Sequence, residues 1–209
     1  MKKILFLSTI GLIVSLANPW TVQALAFSVS YDQVISSNNQ QVQFAVKVKD
    51  KDVRVESSVG GVKSIMIKNK SGYFNYLPTQ NKAIKIPEQM QRPNLTDDLP
   101  DFGGFLKRNK ATVAGSETVQ GHNTDIYQFV GPGGAETKVW LWKEKQFPLK
   151  IEVKEASHVA TIDLTNIQFD PATDETTFQL PPNVKITDLQ ARGSSTPSKQ
   201  EVVQATKKA

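Results

Sequence analysis

The side chains that most often carry out chemistry are sparse in this 209-residue chain and poorly placed to cooperate. His122 and His158 stand far apart, each beside turn or polar residues. Neither has a partner at metal-ligand spacing, whereas zinc asks for three or four ligands, as in a His-Glu-x-x-His helix or paired cysteines. Cysteine is absent, which excludes a thiol nucleophile, a Cys-based zinc site, a disulfide framework and a lipid-modified N-terminal Cys. Asp97, Asp98 and Asp101 lack the regular acid spacing and invariant glycine of a calcium loop. Gly131-Pro132-Gly133-Gly134 is glycine-rich, but it lies between strand patterns with no helix after it, so it reads as a turn rather than a phosphate cradle. No Gly-x-Ser-x-Gly elbow or dinucleotide fingerprint occurs. Carboxylate pairs suited to glycoside hydrolysis depend on distance in space, and no pair is singled out. The expectation is a protein without a catalytic centre, metal or cofactor.

What exceeds the ordinary is the supply of large apolar side chains. Trp140 and Trp142, with Tyr73, Phe74, Tyr76, Met90, Phe102, Phe105 and Leu106, outnumber what one face of one sheet can bury. They suit a hydrophobic cavity between a bent sheet and a lid. An ordinary two-layer core would use the same residues, and their types alone leave both readings open.

The elements that must position them are strands. Ile126 to Val130 is aromatic and β-branched and stops at the glycine-rich turn. Lys138 to Lys143 places Val139 and Leu141 on one face and both tryptophans on the other. Leu149 to Lys154 alternates apolar and charged residues, the pattern of a strand with one dry face. Upstream, Phe27 to Tyr31, Val42 to Val48, Val53 to Glu56, Val62 to Ile67, Tyr73 to Leu77 and Ala83 to Ile86 follow one another through short turns, which predicts a six-stranded meander. Between Pro87 and Ala111 the alternation disappears. Short helices or loops are expected there as a lid, with Asp101 capping a helix that begins at Phe102. Further on, Ile162-Asp163-Leu164 and Ile167-Gln168-Phe169 disagree in parity across Thr165-Asn166, as a β-bulge would cause. Pro171 to Glu175 reads as a capped turn, after which Phe178 returns to a core and Pro181-Pro182 closes the segment.

Both ends of the chain read differently from its middle. Lys2 and Lys3, an apolar run over Ile4–Ala17 and Ala24-Leu25-Ala26 make residues 1–26 an export signal cleaved after Ala26. The apolar run stops at Asn18-Pro19, short of the roughly 20 residues a membrane-spanning helix needs. A soluble periplasmic protein is expected. The formal charge is +5, from 25 basic and 20 acidic residues. Arg192, Lys199, Lys207 and Lys208, against Glu201, concentrate basic charge in residues 192–209. A nucleic-acid face would instead cluster it on a structured surface, so no nucleic-acid partner is expected. That tail is expected to be disordered and to make at most weak contact with anionic membranes. Residues 27–191 are expected to form the folded domain.

The order of several short motifs resembles the LolA/LolB/RseB superfamily of bacterial envelope proteins, particularly its poorly characterised periplasmic branches. The resemblance covers most of Phe27 to Leu189. It is carried by Val53-Arg54-Val55-Glu56, Tyr73 to Ile86, Glu117-Thr118-Val119-Gln120-Gly121, Val139-Trp140-Leu141-Trp142 with Pro148-Leu149-Lys150, and Phe178 to Val184. It differs from the lipoprotein carrier in entering a strand at Phe27 without a preceding helix. The resemblance implies a mainly β fold: a bent antiparallel sheet forming an incomplete barrel, with a short helical or loop lid over its concave face. It also implies non-catalytic binding of a lipid, acyl chain or acylated protein in the cavity between them. A regulatory or scaffolding module that meets an envelope protein through the same apolar face is the alternative.

Overall fold

The computed structural model describes residues 27–91, 95–156 and 158–189. The proposed export signal (1–26), the basic tail (192–209) and lid residues Arg92, Pro93 and Asn94 lie outside them.

The chain is mainly β and builds one open, bent sheet of twelve strands. The strands are β1 (Ser28–Ser37), β2 (Gln40–Lys49), β3 (Asp52–Val59), β4 (Val62–Asn69), β5 (Gly72–Leu77) and β6 (Lys82–Ile86). After the lid come β7 (Thr112–Val119), β8 (His122–Val130), β9 (Glu136–Trp142), β10 (Phe147–Glu155), β11 (His158–Phe169) and β12 (Lys185–Asp188). Their spatial order is β12-β6-β5-β4-β3-β2-β1-β11-β10-β9-β8-β7. Two meanders, β1 to β6 and β7 to β11, are therefore joined side by side through the β1–β11 pair. The turns explain why each meander folds back tightly. Asn38 and Asn39 both take positive φ, 50° and 62°, as a two-residue hairpin turn of matching twist demands. Gly60 and Gly61 do the same between β3 and β4, at 58° and 77°.

The parity break near Asn166 is a bulge, as expected. Ser30 pairs with Gln168 while Asp32 pairs with Thr165, and Asn166, at φ 52°, donates from Nδ2 to Asp32 at 2.8 Å. The extra residue raises local twist where the two meanders meet.

The segment between the meanders is a lid of short helices: a 3-10 turn at Glu88–Met90, α1 (Leu95–Asp98), a second 3-10 turn at Leu99–Asp101, and α2 (Phe102–Arg108). Asp101 accepts from the backbone N–H of Gly104 at 2.9 Å and so caps α2. Leu99, Phe102 and Leu106 bury themselves against Val29, Tyr31, Val46, Val48, Val53, Val55, Val139, Leu141, Phe147, Ile151 and Leu164, which makes this the inner face and the main core.

The outer face of the first meander has a second, smaller core. Beyond β11 the chain crosses it as a strap, with Asp174 capping a 3-10 turn at Glu175–Phe178. Arg54 donates to the Thr177 carbonyl at 3.0 Å, Asn69 to that of Phe178 at 2.6 Å and Asn81 to that of Asn183 at 3.1 Å. Leu180 and Val184 cover Ile65, Ile67, Tyr76 and Ala83. The chain does not close at Pro181-Pro182: it turns and adds β12 parallel to β6.

Candidate functional site

The inner face carries an apolar line that follows from register. Val42 pairs with Ile35, Ile35 with Ile162, Ile162 with Ile151, Ile151 with Val139, Val139 with Tyr127 and Tyr127 with Val113. The line crosses β2, β1, β11, β10, β9, β8 and β7 without a charged residue. Its centre, Ile151 and Val139, is buried, its shoulders are half-buried, and Val113 at the β7 edge is 63% exposed. The sheet thus presents more apolar surface than the lid covers.

The lid adds its own aromatic side chains. Phe105 packs on Phe102 with ring centroids 5.1 Å apart and meets Phe129 edge-on at 5.7 Å. Lys68 of β4 forms an ion pair with Asp97 of α1, with both side chains partly in water, a situation in which a bridge contributes about 0–1 kcal/mol. Apolar contact therefore outweighs that bridge in holding the lid down. Beside the bridge a cavity of about 20 Å³ remains among Val53, Val55, Met66, Tyr73, Thr96 and Asp97. With the lid in this position, its own side chains occupy the inner face.

Beneath the lid stands a polar anomaly. Tyr31 is 3% exposed and its ring meets Phe147 edge-on at 5.7 Å. Its hydroxyl has no hydrogen-bond partner among the described residues. Burial pushes its phenol well above the ordinary tyrosine range.

The residues expected around one cavity divide between the two faces. Phe102, Phe105 and Leu106 stand in the lid on the inner face, and Tyr73 shares that face, donating its hydroxyl to the Met66 sulfur. Phe74 and Tyr76 point the other way, because neighbours in a strand alternate: Phe74 pairs with Ile67 and Tyr76 with Ile65, on the strap side. Trp140 also faces away from the lid, opposite to Val139 and Leu141. Trp140 is 7% exposed, donates from Nε1 to Glu117 at 2.8 Å and lies under the Lys150 ammonium at 4.6 Å. Trp142, at the end of its strand, pairs with Phe147, stacks on His122 at 3.8 Å and lies 6.0 Å from the Phe169 ring, beside the main core. Met90 is 59% exposed at the surface of the lid's first turn. Sequence reasoning passed over Tyr31, Ile35, Val42, Ile162, Tyr127 and Leu99. Period-2 alternation marks most of them as one-faced strand residues, but the register that aligns them is not local information.

A much larger cavity, of about 830 Å³, lies instead on the outer face. Phe74, Phe178, Leu180 and Ile186 give it apolar walls, and Lys49, Lys51 and Lys70 with Asp50, Asp52 and Glu175 give it a rim of balanced charge. Among the described residues no group of three or more His, Asp or Glu could hold a metal ion, and no helix is long and apolar enough to cross a membrane.

No family model and no curated protein matches the sequence. Solved structures match its fold. An uncharacterized conserved protein from Thermus thermophilus superposes with a TM-score of 0.56 at 11% identity, over 76% of this chain and 90% of that one. A chain from the Pseudomonas aeruginosa MucA/MucB complex superposes with a TM-score of 0.51 at 13% identity, over 74% of this chain and 56% of that one. The fold is LolA/RseB-like.

Proposed function

We propose that the protein binds an apolar ligand, a lipid or the acyl chain of a lipoprotein, on the inner face of its sheet, in the bacterial cell envelope, with no covalent chemistry. The observation that carries this reading is the apolar line from Val42 to Val113, which the lid covers only at its centre. A lid held largely by Leu99, Phe102 and Leu106 can be replaced in kind by an acyl chain, since each buried methylene contributes about 0.8 kcal/mol. The export-signal pattern of residues 1–26 supports the envelope location.

Binding of diphenylhexatriene, a hydrocarbon fluorophore that lights up only in apolar surroundings, tests it. The protein is expected to bind the probe, Ile35→Gln and Ile162→Gln to weaken binding, and Trp140→Phe on the outer face to leave it unchanged. No fluorescence gain at saturating probe, or binding by both inner-face variants as tight as that of the wild type, would sink the proposal.

A second reading, docking of a partner polypeptide, is favoured by β7. This edge strand is exposed along nearly its whole length and contains neither Lys nor Pro, the residues that usually guard an edge against pairing.

A further inference from the structure

The Tyr31 hydroxyl is out of place in its surroundings. It sits in the main core, in one cluster with Leu99, Phe102 and Leu106 of the lid, and among the described residues it is the one buried side-chain polar atom without a hydrogen-bond partner. Burying a hydroxyl without a partner is costly, and phenylalanine would fill the same space without that cost. A tyrosine kept in such a place is explained if its partner arrives with a ligand. Its phenol stays protonated at every ordinary pH, because burial raises its pKa. It is therefore a permanent O–H donor, and the group it can receive is an acceptor that is itself held in apolar surroundings.

We infer that Tyr31 is the polar reader of the inner face, and that it donates to the ester or amide carbonyl of an acyl ligand once the lid's side chains give way. The inference rests on the apolar-ligand reading and narrows it, from a lipid or acyl chain in general to one whose ester or amide carbonyl enters the inner face with it. Val46, which pairs with Tyr31 across the sheet, and Phe147, which meets its ring, offer it only apolar side chains. A carbonyl next to a long chain matches this arrangement of one donor amid aliphatic and aromatic walls. A plain alkane would leave the donor unpaired, and a site that hydrogen-bonds its ligand disfavours the analogue lacking that group.

Tyr31→Phe gives two readouts that a merely structural role would not move in opposite directions. Its melting temperature is expected to rise by about 2–4 °C, the shift that about 1 kcal/mol produces in a chain of this size. Displacement of diphenylhexatriene by methyl palmitate is expected to become about tenfold less effective in the variant. Displacement by heptadecane, which has the chain without the carbonyl, is expected to be the same in both proteins. A melting temperature that falls would show that the hydroxyl is already satisfied, and would overturn the inference. So would an undiminished preference for the ester in Tyr31→Phe, although the apolar-ligand reading would then still stand. If the wild-type protein binds neither diphenylhexatriene nor the ester, both fall together.

Discussion

At the residue scale, what matters is which polar groups are satisfied and by what. Glu56 on the outer face shows a satisfied one. Burial alone would raise its pKa, but hydrogen bonds from Lys63 and Arg54, each 2.7 Å away, hold the carboxyl below the ordinary glutamate range. Arg54 in turn reaches the strap at the Thr177 carbonyl, so the carboxylate helps orient the side chain that pins the strap. A carboxylate with a depressed folded-state pKa contributes stability that is present above its unfolded pKa and lost as pH falls through the folded one. Glu56→Gln is therefore expected to melt about 2–4 °C lower than the wild type at pH 7, the equivalent of roughly 1 kcal/mol for a bridge partly in water. The gap should close as the pH falls through that depressed folded-state pKa. Melting curves across pH 3 to 7 check this, and a gap independent of pH would mean that the carboxylate charge is not what stabilises.

At the element scale, α2 persists despite two adjacent glycines that count against a helix. Gly104 has a reason to be there: a Cβ added to it would lie 1.9 Å from the Asp101 carboxylate, which folds back over the helix to accept the Gly104 N–H. Gly103 faces open space, with nothing within 4 Å of an added Cβ. The two glycines should thus answer oppositely to alanine. Gly103→Ala is expected to stabilise by about 0.5–1 kcal/mol through helix propensity. Gly104→Ala gains the same propensity but displaces a cap of about 1 kcal/mol, so it should bring no net gain. Urea unfolding of the two variants decides, and equal stabilisation by both would mean that the cap contributes nothing.

At the scale of the whole molecule, an open sheet has two ends, and they are treated differently. One end is finished by β12, a four-residue strand supplied by the strap. The other ends on β7, eight residues long, whose outward edge pairs with no strand among the described residues and suits an extended chain. Thr118→Lys places a guarding charge on that edge. If a partner polypeptide adds to β7, a tagged copy purified from its native envelope should lose that partner on Thr118→Lys, while diphenylhexatriene binding stays unchanged. Retention of the partner by Thr118→Lys would rule out the edge as its docking place.

How much of this was legible in the sequence differs from element to element. Alternation revealed β2 and β10, because each has one wet face that spells out the period of two. The bulge at Asn166 was visible as a parity break, and Asp101 as a cap, because both are local matters of backbone geometry. β7 was passed over because both its faces are exposed, so Thr112 to Val119 show no alternation. β12 was hidden because its pairing with β6 joins segments far apart in the chain. The sequence alone determined that the protein is built of β meanders interrupted by one segment, Pro87 to Ala111, without strand alternation. The tertiary structure decided that Trp140, Phe74 and Tyr76 turn away from the lid, and that Tyr31 and the line from Val42 to Val113 turn toward it. A strand's pattern tells which residues share a face, but which face becomes the inside is set by long-range packing, here by where Phe102 and Phe178 find their partners.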